Sequence, residues 1–109
     1  MTKLKLALPF ALSLVMSFGT AIAQDTSYEK EMMNAHKKMM EEMMAMKSTG
    51  DADKDFAMMM IPHHQGAIEM AEVELKYGKD PLMKKMAQEI IAAQKKEIEQ
   101  FRKWQGESH

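Results

Sequence analysis

Cysteine is absent from this 109-residue sequence. That excludes a disulfide framework, a thiolate zinc site, an iron–sulfur cluster and a cysteine nucleophile. A surplus of one charge is missing too: 15 Lys and Arg stand against 16 Asp and Glu, a formal charge of −1. A nucleic-acid binder needs a basic surface to neutralise phosphates, so that class is set aside. Aromatic residues are few, and no segment alternates in the manner of a strand. One apolar run stands out, residues 6–18, and at about 13 residues it is too short to span a bilayer. What the sequence holds in excess is methionine, 15 residues and more than a tenth of the chain.

The apolar run belongs to a leader. Lys3 and Lys5 form a positive start, and Ala21 and Ala23 place small residues at −3 and −1 of a cleavage site before Gln24. Residues 1–23 therefore read as a secretory signal peptide, and no Cys follows the site to carry a lipid. The mature part, residues 24–109, keeps 13 Met and all 4 His and carries more acid than base. It is expected in the periplasm or outside the cell, with no membrane anchor. In an oxidising compartment, a site that needs sulfur avoids disulfide chemistry by using Met.

Punctuation divides the mature part into three helices. Thr26 and Glu29 read as a capping box opening a helix that runs to about Lys47, with Gly50 suited to the left-handed position after its end. Asp51 or Asp53 caps a second helix, which runs to about Tyr77 and stops at Gly78. Asp80 and Pro81 open a third as N-cap and N1, and it runs to about Trp104. Short connections make neighbours antiparallel. The expected fold is all-α, an antiparallel up-down bundle of three long helices around one thin core that dimerisation could complete. Pro62 lies deep in the second helix. It removes the amide that would bond the Met58 carbonyl, either as a tolerated kink or as a device that re-aims His63 and His64.

The candidate chemistry sits on helical faces. In the first helix Met32, Met33, Met39, Met40, Met43, Met44 and Met46 fall in one arc of about 160°, with His36 near its middle. A methionine stripe is often plain core. Here almost no Leu, Ile, Val or Phe shares that face, and a core of Met alone specifies packing poorly. In the second helix Met59, His63 and Met70 cluster within about 40°, Met60 flanks them, and His64 turns toward the other edge. In the third, Met83, Ile90, Ile98 and Phe101 mark the core stripe with Met86 on its edge. Gln94 and Glu97 lie in that stripe as well, where a polar side chain needs a partner. Antiparallel folding then sets His63 level with residues 38–40, His36 level with 64–65, Met70 near Met32 and Met33, and Met86 near 70–71. The expectation is one mid-bundle box of thioethers and imidazoles, with His36 and His63 at similar height.

Thioether sulfur is neutral and soft, so such a box suits Cu(I) and Ag(I), with imidazole as the borderline partner. Zinc favours thiolate, imidazole or carboxylate, calcium and magnesium favour oxygen clusters, and the Glu-x-x-His pairs of a di-iron bundle are absent.

The second and third helices also carry a long signature. Residues 55–71 (Asp55-Phe56-Ala57-Met58-Met59-Met60-Ile61-Pro62-His63-His64-Gln65-Gly66-Ala67-Ile68-Glu69-Met70-Ala71), then Gly78-Lys79-Asp80-Pro81, then Ile90, Gln94, Glu97 and Ile98, resemble the domain-of-unknown-function 305 family, over about residues 53–104. That family includes CopM-like periplasmic copper-binding proteins. The resemblance implies a ferritin-like helical bundle that binds copper or silver in the periplasm, and on matching positions it points to Met59, Met60, His63, His64 and Met70.

The leading expectation is a binding protein rather than an enzyme, one that sequesters Cu(I) or Ag(I) or hands it to another periplasmic copper protein. Two alternatives stay open. One is a redox protein oxidising Cu(I), which would gather its histidines in one site. The other is an adaptor that grips hydrophobic peptides through Met-rich surface.

Overall fold

A computed structural model describes residues 26–107, and the expected leader and its cleavage site lie outside them. Three helices follow in order: α1, Thr26–Met44; α2, Ala52–Tyr77; and α3, Pro81–Gly106. They pack as an antiparallel up-down bundle, and among the described residues there is no strand. No described helix is long and apolar enough to cross a membrane.

The caps of α2 and α3 are those the sequence indicates. Asp51 accepts from the amides of Asp53 (3.0 Å) and Lys54 (3.1 Å). Asp80 accepts from the amides of Leu82 (2.9 Å) and Met83 (3.0 Å), with Pro81 in the first turn. Each cap satisfies two of the amides that a helix start leaves without partners.

The first helix differs from expectation at both ends. Thr26 is already helical, and α1 stops at Met44 rather than near Lys47. Asp55, in the first turn of α2, supplies the reason for the early stop. Its carboxylate accepts from Ser48 Oγ (2.7 Å), the Thr49 amide (2.8 Å) and Thr49 Oγ1 (2.6 Å). Those bonds draw residues 46–49 out of the helical path. Gly50 then takes φ +83°, in the left-handed region open to glycine, inside the connection rather than directly after the helix end.

The middle helix α2 is flanked by α1 on one side and α3 on the other, and among the described residues α1 and α3 do not approach one another. The bundle is therefore an open layer with two seams. In the α1–α2 seam Met39 packs directly over Gly66. A Cβ at Gly66 would lie 2.5 Å from Met39 Sδ and 2.7 Å from Met39 Cβ, so the helices approach this closely only because residue 66 is glycine. Ala35 and Val73 are buried as well, on the seam-facing sides of their helices. By phase, the α2–α3 seam holds Ala57, Ile68 and Ala71 against Ala87 and Ile98, all buried. The expected core stripe of α3 is rotated: Ala87 and Ile98 are buried, Gln94 is half-buried, and Met83 and Ile90 are exposed. Small residues at the seam let α3 sit close to α2, and the longer side chains turn outward. The helix is unbroken through Pro62.

Candidate metal-binding face

A layer of three helices has two open faces, and here they differ in chemistry. On one face ion pairs cross the α1–α2 seam: Lys38 to Glu69 at 2.7 Å, and Lys76 to Glu31 at 2.7 Å, where the Tyr77 hydroxyl also donates (2.7 Å). The Glu69 carboxylate raises the pKa of Lys38. The Lys76 ammonium, with the Tyr77 hydroxyl, lowers that of Glu31.

Turning each antiparallel helix by its own phase assigns the opposite face. There α1 presents Met33, His36, Met40 and Met44; α2 presents Phe56, Met59, His63 and Met70; and α3 presents Met83, Met86 and Ile90.

The methionine arc of α1 is thus split in two. Its inner edge packs: Met39 is 8 % exposed, and Met32 and Met43 are half-buried. Its outer edge does not, with Met33 63 % and Met44 79 % exposed and Met40 and His36 also exposed. On α2, Met59 and His63 are exposed, and Met60 and Met70 are half-buried. On α3, Met83 and Met86 are exposed.

The register corrects the expectation of a single box. The Met39–Gly66 contact and the Lys38–Glu69 pair set His36 level with residues 69–71 and His63 level with residues 42–44. The two imidazoles are therefore about two turns apart, roughly 9–12 Å along the axis. His36 and His63 do not share a height. The slip comes from the connection: because α1 ends early, α2 starts further along it than a fold about Gly50 implies.

Two groups result. Toward the α1–α2 connection, His63 is level with Met43 and Met44, with Met40 and Met59 one turn away on their own helices. Toward the other end, His36 is level with Met70, with Met32 and Met33 one turn away. Met70 also lines a groove of about 380 Å³ with Met83, Met86, Ala87, Ile90 and Glu74, as the expected α2–α3 register requires. Two thioethers outside the expected site set lie nearby. Met46 and Met58 join Met59 around a smaller pocket of about 190 Å³ beside Ser48 and Asp55. Met46 belonged to the helix-1 arc, so the signal was there; Met58 carried none beyond its neighbours.

His64 takes a different place. It is 8 % exposed and turned to α3, where its Nε2 meets a Glu97 carboxylate oxygen and its ring stacks edge-on against Phe101 at 5.5 Å. His64 is thus the partner that Glu97, a polar residue in the α3 stripe, needed. With Nε2 donating to Glu97, Nδ1 is left buried without a partner, as is Gln94 Oε1. His63 and His64 are adjacent in sequence but face different company, with ring centroids 5.9 Å apart. Among the described residues no three His, Asp or Glu side chains gather as a hard-ligand metal site.

The model of one protein family, a domain of unknown function (DUF305), matches residues 13–105. The chain belongs to the DUF305 family. The DUF305 match takes in α1, α2 and all but the last residue of α3, so both edges of the methionine arc and all of the α2 signature fall inside the domain. No curated protein matches the chain.

Proposed function

We propose that this protein binds soft monovalent ions, Cu(I) or Ag(I), at two thioether–imidazole groups on its methionine face. In this reading it holds the ion for sequestration or for handover to another copper protein, in the periplasm, as the CopM-like members of its family suggest. The observation that carries the reading is the exposure of Met33 and Met44. Packing within the three-helix layer accounts for Met39, which fills the seam over Gly66, but not for Met33 and Met44, which touch so little of it. A flexible thioether at the surface, repeated at helical spacing beside an exposed imidazole, is suited to wrap a soft ion.

The donor set favours copper(I) or silver(I) over zinc. Hard or borderline ions need carboxylates and several imidazoles together, and the described residues gather no such group. His63 with Met40, Met44 and Met59 forms one ligand set; His36 with Met33 and Met70 forms the other, which Met83 and Met86 can join across the groove. The separation of His36 from His63, and the engagement of His64 by Glu97, also argue against a redox centre, since Cu(II) is stabilised by several nitrogens in one site.

Competition titration under reducing conditions tests the proposal. Cu(I) and Ag(I) should bind far more tightly than Zn(II). His63→Ala with Met59→Leu should remove one ion's worth of binding, and His36→Ala with Met70→Leu another. Zinc binding as tight as that of Cu(I) would contradict it.

A further inference from the structure

We infer that the methionine face is the interface of a symmetric dimer, covered by the same face of a second copy of this chain. The first ground is the thinness of the core. Among the described residues, half of the eight buried apolar ones are alanine, and no large side chain is completely buried. A domain of this size is marginal even with a full core, and those that lack one need a metal, a disulfide or association. There is no cysteine to supply the disulfide.

The second ground is the surface left over. The eight large apolar side chains of this face are each between 39 and 79 % exposed. At about 200 Å² for each such residue when fully open, they present roughly 800 Å², the share one partner gives to a stable interface of standard size. The largest apolar patch on a typical monomer is smaller, about 300–600 Å².

The third ground is how that surface is laid out. The cross-helix ion pairs of the α1–α2 seam lie on the back, and all three helices contribute apolar residues to the front. Large apolar side chains from every helix, with Glu74 and Glu97 among them, give this surface the apolar share of a homodimer interface. A two-fold axis through a nearly flat layer pairs the patch with itself. The interface would then enclose thioethers and imidazoles from both copies around one space. Pairing through apolar surface does not need the ion, so it is tested in the presence of a chelator and stands or falls apart from the metal proposal.

The test is sedimentation equilibrium of the protein purified with its natural N-terminus, with helix content followed by circular dichroism. The metal-free protein should sediment at twice its chain mass at micromolar concentration. Ile90→Lys, which puts a charge on the face at a position already open to solvent, should raise the dissociation constant at least about tenfold with helix content unchanged. Ala92→Lys, exposed on the other side of α3, should leave it unchanged. A metal-free wild type that is monomeric at high micromolar concentration overturns the inference. A dimer that survives Phe56→Lys combined with Ile90→Lys also overturns it.

Discussion

Replacing Gly66 by alanine separates what a glycine costs a helix from what it permits. In an isolated helix the change is favourable by about 1 kcal/mol, because alanine gives up less backbone freedom. Here the added Cβ would sit 2.5 Å from Met39 Sδ and 2.7 Å from both Met39 Cγ and Cβ. The sulfur can swing aside, but the Met39 Cβ is fixed to the α1 backbone, so α1 must lift away from α2. Overpacking of this kind costs about 1–3 kcal/mol. The net effect is a loss of up to about 2 kcal/mol, or as much as roughly 16 °C in melting temperature for a domain of this size. Thermal unfolding followed at 222 nm measures it. In a Met39→Ala background, which removes Sδ and Cγ but keeps Cβ, the penalty should shrink by about 1 kcal/mol. Both proposed metal groups lie across the α1–α2 seam, so Gly66→Ala should also weaken Cu(I) binding. A variant that melts higher than the wild type would show that the seam does not depend on this close approach.

Three further outcomes follow from other contacts. The Thr49 hydroxyl and amide and the Ser48 hydroxyl hold the Asp55 carboxyl below the usual carboxylate range; its stabilising effect is present above the unfolded pKa and lost as pH falls through the lower folded one. Protection from hydrogen exchange at residues 46–50, taken against the intrinsic rate at each pH, should therefore fall on strong acidification, and Asp55→Asn should show the lower protection already at neutral pH. Met33→Leu and Met44→Leu should each change apo stability by less than about 1.5 kcal/mol, as volume-conserving swaps do, while lowering Cu(I) affinity; Met39→Leu should leave affinity nearly intact. Glu97→Ala takes away the partner of a buried imidazole and should cost about 1–3 kcal/mol in denaturant unfolding, with the number of Cu(I) ions bound unchanged. A drop in that number would place His64 among the ligands.

The fold was legible wherever chemistry is local. Asp51 and Asp80 cap their helices as side-chain acceptors must, and Pro81 opens a helix where a missing amide costs nothing. The end of α1 was not legible, because it is set by Asp55, a residue of the next helix that captures Ser48 and Thr49. That one long-range contact shifts the register by about a turn, which is enough to part His36 from His63. The methionine arc was visible on the helical wheel, but a wheel does not tell which edge of an arc finds a neighbour. The close approach at Gly66 decides that Met39 is core and Met33 and Met44 are surface. The need of Glu97 for a partner was readable from its place among apolar residues; that the partner is His64, and that this draws His64 away from the thioethers, required the α2–α3 seam.

X-ray absorption at the copper edge, on protein loaded with Cu(I) under reducing conditions, looks at the ligands themselves. The account predicts a first shell dominated by sulfur with an imidazole nitrogen beside it, and sulfur scattering that diminishes in the Met33→Leu/Met44→Leu/Met59→Leu protein. A first shell of nitrogen and oxygen alone, unchanged in that variant, would contradict it and return the methionine face to a purely structural role.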